Sequence, residues 1–210
     1  MTVVHADVKE LHLAHFSVKE YLLENDCFKT VAASISITRT CLAYLTDING
    51  SKREMTQHFP MARYAAEFWT CYATTAEAHE EILRITVRFL EEEATFQRWA
   101  RLHQADRSWD KSPGAPRGSR LYYACLGGLV EPARNLVDKG ADVNAQGGMY
   151  GNALQAASEG GHQDIVKLLL NKGADINAQG GRYGNALYAA SFRGHQEIVD
   201  LLLNKGADVN

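Results

Sequence analysis

Residues 140–172 read GADVNAQGGMYGNALQAASEGGHQDIVKLLLNK, and residues 173–205 read GADINAQGGRYGNALYAASFRGHQEIVDLLLNK. Both stretches are 33 residues long, and they differ at only seven positions. A period of this length is typical of a solenoid, whose units bury their apolar residues only against neighbouring units. Because stacked units create an extended surface, the repeat predicts a protein that binds other molecules.

Two helices are predicted in each unit. Asn152 is a suitable N-cap for a helix of small residues over 153–158, which the glycine pair 160–161 ends. A second helix is predicted from about 163 to 171, where the apolar arc is too wide for a helix with one buried face. Adjacent units must therefore cover this helix. Residues 173–184 are rich in turn-forming types and are expected to project from the stack.

The order and spacing of these residues resemble the ankyrin repeat. The matching positions are Leu154, Ala156, Ala157, Gly161, His162, Ile165, Val166, Leu168, Leu169 and the phrase 173–177. The resemblance implies helix–turn–helix units with projecting turns, and a concave groove through which ankyrin proteins commonly bind protein partners. Where the family has Thr-Pro, this chain has Asn152 and Ala153, so asparagine must supply the helix cap.

The same register extends beyond the two full units. Residues 118–139, GSRLYYACLGGLVEPARNLVDK, form a degenerate first unit, and atypical terminal units are normal in solenoids. The chain stops at residue 210, shortly after a further unit has begun, so the solenoid over 118–210 has one degenerate, two full and one truncated unit. This end predicts a fragment of a longer protein. We therefore expect Ile198, Leu201 and Leu202 to be partly exposed to water.

The N-terminal half has a different character. Residues 11–16 alternate like a short strand, and Ser17 to Glu20 form a capping box that starts a helix through Leu22 and Leu23. Further helices are predicted at about Ile35–Leu45, Pro60–Tyr72, Glu77–Glu91 and Ala94–His103. Residues 107–117, rich in proline, glycine and serine, predict a linker and a domain boundary. The predicted fold class is all-α, with a helical domain before the solenoid and a short strand near the N-terminus.

Three phrases of this half resemble a known signalling architecture. They are LAHFSVKEYL at 13–22, CLAYL at 41–45, and FP at 59–60 leading into YAAEFW at 64–69. They are similar to the segment between the NACHT nucleotide-binding module and the ankyrin repeats of fungal NLR-like ATPases. The resemblance implies the end of a winged-helix segment over 1–27 and a helical connector over 28–106. No phosphate-binding loop of the form Gly-x-x-x-x-Gly-Lys-Ser/Thr occurs in the sequence, so no nucleotide site is predicted.

Composition narrows the class of protein. The net charge is −3 and 46% of the residues are hydrophobic, without an apolar run long enough to span a bilayer and without a signal peptide. The four cysteines, at positions 27, 41, 71 and 125, lie far apart, which predicts reduced, buried thiols in a cytoplasmic protein. Because neither half carries a basic patch, we expect no binding to nucleic acid, and we also expect no cofactor and no membrane association.

The enzyme and metal-protein alternatives have little support in the sequence. His5, His12 and His15 have no further ligand at metal-binding spacing, and alternation places the last two on opposite faces of a strand. His79 begins a motif like that of zinc proteases, but the second histidine is missing. Cys125 stands where the other units have serine, which indicates a packing residue rather than a nucleophile. The sequence therefore predicts no catalytic and no metal-binding residues.

The differences between the two full units indicate candidate binding residues. Positions that pack between units should stay fixed, whereas positions that face a ligand are free to differ. The non-conservative differences at the turn tip and along the first helix give the candidates Met149, Gln155, Glu159, Arg182, Tyr188, Phe192 and Arg193. Aromatic residues and arginine are favoured at binding hot spots. The alternative interpretation is that these positions are merely exposed and drift freely.

The predicted function is non-enzymatic. The two resemblances imply the connector and sensor part of a fungal NLR-like NACHT–ankyrin signalling protein, which binds a protein partner through the concave groove. A free-standing ankyrin adaptor or scaffold without an ATPase domain is the alternative. We expect that Phe192→Ala and Arg193→Ala leave the melting temperature nearly unchanged and abolish capture of the partner.

Overall fold

A computed structural model describes residues 30–48, 50, 52–107 and 114–209 of the chain. Within these residues the regular elements are helices, accompanied by one isolated β-bridge between Gly180 and Gly184. The predicted all-α class is confirmed for this part of the chain. The predicted strand over 11–16 and the helix through Leu22 and Leu23 lie outside the described residues.

The N-terminal half contains five helices and one turn of 3-10 helix among the described residues. They are α1 (Thr30–Asp47), α2 (Lys52–His58), α3 (Ala62–Thr75), α4 (Glu80–Glu91), α5 (Glu93–Leu102) and the 3-10 turn Ala105–Arg107. The four helices that the sequence predicts here correspond to α1, α3, α4 and α5, with ends displaced by up to a few residues. The short helix α2 was not predicted, because its seven residues, KREMTQH, carry too few apolar side chains to show a helical period.

An aromatic cluster forms the core of this half. Trp69 on α3 and Trp99 on α5 are both buried, with ring centroids 5.4 Å apart in an edge-to-face arrangement. The indole Nε1 of Trp99 donates a hydrogen bond of 2.8 Å to the carbonyl oxygen of Ala66. Phe89 and Phe96 pack against Trp99 from α4 and α5. Rings of this size bury a large apolar area, and their edge-to-face contacts add specificity to the packing of α3, α4 and α5.

The solenoid consists of paired helices. Repeat one (118–139) has α6 (Arg120–Leu126) and α7 (Val130–Asp138), repeat two (140–172) has α8 (Ala153–Gly160) and α9 (Gln163–Asn171), and repeat three (173–205) has α10 (Ala186–Arg193) and α11 (Gln196–Asn204). The side chain of Asn152 accepts a hydrogen bond of 2.9 Å from the Gln155 amide, and Asn185 does the same for the Tyr188 amide at 2.7 Å. Asparagine therefore supplies the N-cap in both full repeats.

The same polar contacts recur between successive repeats. The imidazole Nε2 of His162 lies 3.0 Å from the Leu126 carbonyl oxygen, and 33 residues later His195 lies 3.0 Å from that of Glu159. The Asn144 side chain accepts a hydrogen bond of 2.8 Å from the Asp175 amide. Each repeat thus holds the next one by hydrogen bonds as well as by apolar packing, as a nearest-neighbour solenoid requires.

The apolar residues of the last described helix are better covered than the sequence led us to expect. Ile198 and Leu202 are buried, and Leu201 is half-buried. The expectation of partial exposure was wrong for the first two, because α9 and α10 already cover the face of α11 on which they lie. The predicted burial of the thiols was wrong for Cys71, which is exposed, whereas Cys41 and Cys125 are buried.

The N-terminal helices and the repeats share one hydrophobic core. Tyr123 of α6 packs against Trp99 and Phe96 of α5, with ring centroids 5.6 and 5.9 Å apart. A polar contact also joins the two halves, since the carboxylate of Glu77 accepts a hydrogen bond of 2.5 Å from the Glu131 amide at the start of α7. Part of the predicted linker, 107–117, lies outside the described residues, so the boundary itself stays a prediction. The described helices on its two sides are nevertheless packed directly on each other.

Candidate functional site

Repeat three exposes a group of aromatic rings. Tyr188 and Phe192 on α10 are 55% and 61% exposed, although both are large apolar side chains. The Tyr183 ring joins them from the preceding turn, with centroids 6.1 Å from Tyr188 and 5.1 Å from Phe192. We call these three residues the aromatic surface. Contiguous exposed aromatic groups on a folded domain mark candidate interaction sites.

Two arginines flank the aromatic surface. The guanidinium of Arg182 lies over the Tyr183 ring, 5.6 Å from its centroid, which is a cation–π geometry. Arg193, one residue after Phe192, is bound to Glu159 of repeat two, with Nε 2.8 Å from Oε1 and a second contact from Nη2. The structure therefore brings together the four candidates that belong to repeat three.

Gln155, the counterpart of Tyr188 in repeat two, lies elsewhere. Its side chain is only 1% exposed. The amide Nε2 donates hydrogen bonds to the carbonyl oxygens of Ala178, Gly180 and Gly184, at 3.2, 3.2 and 2.9 Å. Gln155 therefore holds the turn of repeat three in place. In the sequence it was a candidate for partner binding, but its burial leaves no atom for a partner to reach.

Glu159, the counterpart of Phe192, is also covered by repeat three. Its side chain is 7% exposed and carries the ion pair with Arg193, which raises the pKa of that arginine. Burial, together with the neighbouring Glu159 carboxylate, raises the pKa of Tyr150 to about 12. Removing the Arg193 side chain would leave a buried carboxylate without its cation, which is destabilising. In contrast to the expectation from the sequence, we therefore expect Arg193→Ala to lower the melting temperature, so Phe192→Ala is the cleaner test of partner binding.

Met149, the remaining candidate, is half-buried at the turn of repeat two. Its carbonyl oxygen accepts a hydrogen bond of 2.9 Å from the Arg182 amide. Met149 therefore contributes to the site through its backbone, by fixing the turn that carries Arg182.

Tyr183 is a member of the site that the sequence comparison missed. Repeat two has a tyrosine at the same place, Tyr150, so the position does not appear among the seven differences. The two rings stack with centroids 5.7 Å apart and an interplanar angle of 5°. Tyr150 is buried, whereas Tyr183 is half-buried and reaches the aromatic surface. Its proximity to the variable residue Arg182 was the one signal in the sequence that could have indicated it.

A second exposed apolar region lies on the N-terminal half. A groove of about 420 Å³ runs between α1 and α3, lined by Ser36, Ile37, Thr40, Cys41, Tyr44, Met61, Tyr64 and Ala65. Tyr64 and Phe68 on α3 have ring centroids 4.8 Å apart, and both are partly exposed. This pair repeats the four-residue spacing of Tyr188 and Phe192.

Two observations concern metal binding and the reactivity of Cys125. Among them, no three histidine, cysteine or acidic side chains are grouped so that they could hold a metal ion. Burial raises the pKa of the Cys125 thiol, which keeps it protonated and unsuited to nucleophilic attack. His5, His12 and His15 lie outside the described residues. None of the described helices has the length and apolar character needed to cross a lipid bilayer.

Comparison with known proteins agrees with the repeat geometry. Residues 121–210 match the sequence profile of ankyrin repeats, in three copies. No curated protein matches the chain significantly. The paired helices, the turns that project between them and this profile match lead to the same conclusion: residues 121–210 of the chain are ankyrin repeats.

Proposed function

We propose that the chain is a non-catalytic protein-interaction module that binds a protein partner through the aromatic surface of repeat three. One observation carries the proposal: Tyr188 and Phe192 are the most exposed aromatic side chains among the described residues, and they adjoin Tyr183 and Arg182 in one patch. A partner that covers these rings would remove apolar surface from water, which is favourable. Aromatic residues and arginine are the types that contribute most to protein–protein binding.

The finer proposal is that the module is the connector and sensor part of an NLR-like NACHT–ankyrin signalling protein of the cytoplasm. The phrases at 13–22, 41–45 and 59–69, together with ankyrin repeats that follow a helical segment, support it. Sequencing the transcript upstream of Met1 tests this context. A phosphate-binding loop in the same reading frame is the expected result, and an in-frame stop codon just before Met1 would favour the free-standing adaptor instead.

The binding surface is tested by affinity capture with a matched pair of variants. We expect Phe192→Ala to lose proteins that the unmodified chain retains from an extract, as measured by quantitative mass spectrometry. Phe68→Ala is the control, because it also removes a partly exposed phenylalanine that lies next to a tyrosine on a helix. Neither change should lower the melting temperature by more than a few degrees, since both side chains are substantially exposed.

The outcomes separate the surface from the rest of the molecule. Proteins retained by the unmodified chain and by Phe68→Ala, but not by Phe192→Ala, would support the aromatic surface. Identical sets of proteins in all three experiments would contradict it. Loss with Phe68→Ala alone would assign binding to the exposed surface of α3 that carries Tyr64 and Phe68.

A further inference from the structure

The carboxylate of Asp106 lies at the junction of three structural units. Asp106 belongs to the 3-10 turn after α5, the last residue of the predicted connector, and is only 1% exposed. Its Oδ2 accepts a hydrogen bond of 2.8 Å from the Tyr122 hydroxyl in repeat one. The same oxygen accepts a second bond of 2.7 Å from the amide of Met149 in repeat two. A single oxygen atom thus joins the connector to both repeats.

Tyr122 completes this junction. Besides donating to Asp106, its hydroxyl oxygen accepts a hydrogen bond of 3.2 Å from the Tyr150 amide. Two consecutive amides of the repeat-two turn, those of Met149 and Tyr150, are therefore held from the N-terminal side. Burial, followed by the nearby Asp106 charge, raises the pKa of Tyr122, so the hydroxyl remains a donor throughout the physiological pH range.

One of these contacts passes over a repeat. In a solenoid each unit touches only its neighbours, and stability is approximately the sum of the units and their shared interfaces. The bond from Asp106 to Met149 instead connects the connector with repeat two directly. Repeat two therefore cannot separate from repeat one without also breaking a contact with the connector. We expect the connector and the two repeats to unfold together for this reason.

The junction also continues toward the aromatic surface. Met149 donates its amide to Asp106, and its carbonyl oxygen, which belongs to the following peptide group, accepts the bond from the Arg182 amide. Arg182 is the residue whose guanidinium lies over Tyr183. A backbone path of two hydrogen bonds therefore leads from the connector to the turn that borders the aromatic surface.

We propose that Asp106 is a latch that makes the connector, repeat one and the repeat-two turn a single cooperative unit and transmits the state of the repeat-three turn to the connector. The latch itself stands on the geometry alone, whereas its use in sensing rests on the proposed function. A partner that changes the Arg182 turn on binding would thereby alter the contact between repeat two and the connector.

Unfolding monitored by two probes tests the latch. All three tryptophans precede residue 110, so tryptophan fluorescence reports the N-terminal half, while far-ultraviolet circular dichroism reports all helices. The experiment uses the full chain with Trp109→Phe as background, which leaves Trp69 and Trp99 as the fluorescent groups. With the latch intact the two urea transitions should coincide. In Asp106→Ala we expect them to separate, with fluorescence and circular dichroism giving different midpoints.

Hydrogen exchange at single amides gives the second measurement. In Asp106→Ala the Met149 amide loses its acceptor, and we expect it to exchange roughly tenfold faster, the factor that one ordinary hydrogen bond supplies. The Arg182 amide should also exchange faster, because its acceptor is the carbonyl oxygen of the same residue, Met149. Asp138→Ala is the matched control: Asp138 also joins two repeats, through an exposed ion pair of 2.7 Å with Lys172. Asp138→Ala should leave the two urea transitions coincident and the exchange rate of the Met149 amide unchanged.

Asp106→Asn distinguishes the loss of the hydrogen-bond acceptor from the loss of the side-chain volume. Its side-chain oxygen can occupy the place of Oδ2 and accept both bonds, so we expect the transitions to coincide again. The latch is overturned if Asp106→Ala keeps the two transitions together, if the Met149 amide exchanges at its original rate, or if Asp106→Asn separates the transitions as widely as Asp106→Ala.

Tyr122→Phe keeps the test decisive if Asp106→Ala does not fold. It removes only the hydroxyl group that bonds Asp106 and the Tyr150 amide, so this amide should exchange faster, and exchange at its original rate would overturn the junction. None of these measurements needs a partner. A failure of the latch is therefore distinguishable from a failure of the proposed function, which affinity capture with Phe192→Ala decides.

Discussion

Repeats two and three have almost the same sequence, but they differ in what their variable positions do. Gln155 and Glu159 of repeat two are buried beneath repeat three, whereas Tyr188 and Phe192, at the same places in the unit, are exposed. Gln155 donates hydrogen bonds to the turn of repeat three, and Glu159 forms an ion pair with Arg193. Tyr188 and Phe192 instead form part of the aromatic surface. A position in a solenoid unit therefore acquires its role from the neighbour that covers it, not from its place in the unit.

Repeat one extends the comparison to a third copy of the same position. Tyr122 stands 33 residues before Gln155, and its hydroxyl also supports the turn of the following repeat. A tyrosine and a glutamine thus serve the same purpose, because each places a polar group beneath backbone groups of the next unit. Tyr188 carries the same hydroxyl without a described turn above it. Substitutions at paired positions can test how far burial alone explains these differences.

The largest expected contrast concerns two glycines at helix ends. Gly161 and Gly194 both have a positive φ, 77° and 76°, which costs a residue with a side chain about 1–2 kcal/mol. A Cβ at Gly161 would lie 2.6 Å from the His195 ring, whereas none of the described atoms lies within 4 Å of one at Gly194. We expect Gly161→Ala to destabilise by roughly 1–3 kcal/mol more than Gly194→Ala, since His195 must also move from its carbonyl acceptor. Urea denaturation of both variants measures the contrast. Equal losses in the free energy of unfolding would show that the cost comes from the positive φ alone.

The second contrast concerns the supporting side chain itself. Gln155→Ala would leave three carbonyl oxygens without their shared donor, so we expect a loss of about 2 kcal/mol in the free energy of unfolding. Tyr188→Ala should cost no more than about 0.5 kcal/mol, because the ring is largely exposed. Thermal and urea unfolding of the two variants provide the test. A large loss in Tyr188→Ala would mean that the aromatic surface also stabilises the fold.

The solenoid could be predicted from the sequence because its signals are local and repeated. The bounds of α9 and the capping role of Asn152 followed from residue types within one unit. The exposed residues could be predicted only in part. Comparing two units shows where they differ, but Gln155 and Glu159 differ from their counterparts while being buried beneath repeat three. Tyr183 is the opposite case, because it is a tyrosine in both repeats and nevertheless belongs to the aromatic surface.

The N-terminal half shows a further limit of sequence reasoning. Its helices have apolar periods, and four of them were therefore predicted, but the contacts that connect them to the repeats involve single residues far apart in the chain. The bond between Asp106 and Met149 spans 43 positions and has no motif. A lone aspartate before a linker resembles any solvated turn residue. Only the packed structure shows that this aspartate is buried.

The next prediction concerns the pH dependence of stability, to which His162 of repeat two contributes. Burial lowers the pKa of His162 from 6.5, against a smaller opposing effect of its bond to the Leu126 carbonyl oxygen. The unfolded chain then binds more protons than the folded chain below pH 6.5, so stability should fall as the pH drops through this range toward the folded pKa. In His162→Gln we expect a shallower fall, measured by urea unfolding between about pH 7.5 and pH 5. His103, whose pKa burial also lowers, has the same sign and should preserve part of the slope.

The smallest expected effect comes from the charge difference on the second helices. Lys167 of repeat two lies 3.3 Å from Asp164 in an exposed ion pair, whereas repeat three has Asp200 at that place, which accepts a hydrogen bond of 2.9 Å from Gln196. Exposed pairs three or four residues apart on a helix contribute only about 0.3–0.5 kcal/mol, and salt screens them. We expect Lys167→Asp to lower the free energy of unfolding by no more than about 0.5 kcal/mol, with the difference shrinking at high salt. A larger loss that persists at high salt would show that Lys167 has a role beyond this pair. A small loss would mean that the two repeats can differ in charge at this exposed position with little effect on stability.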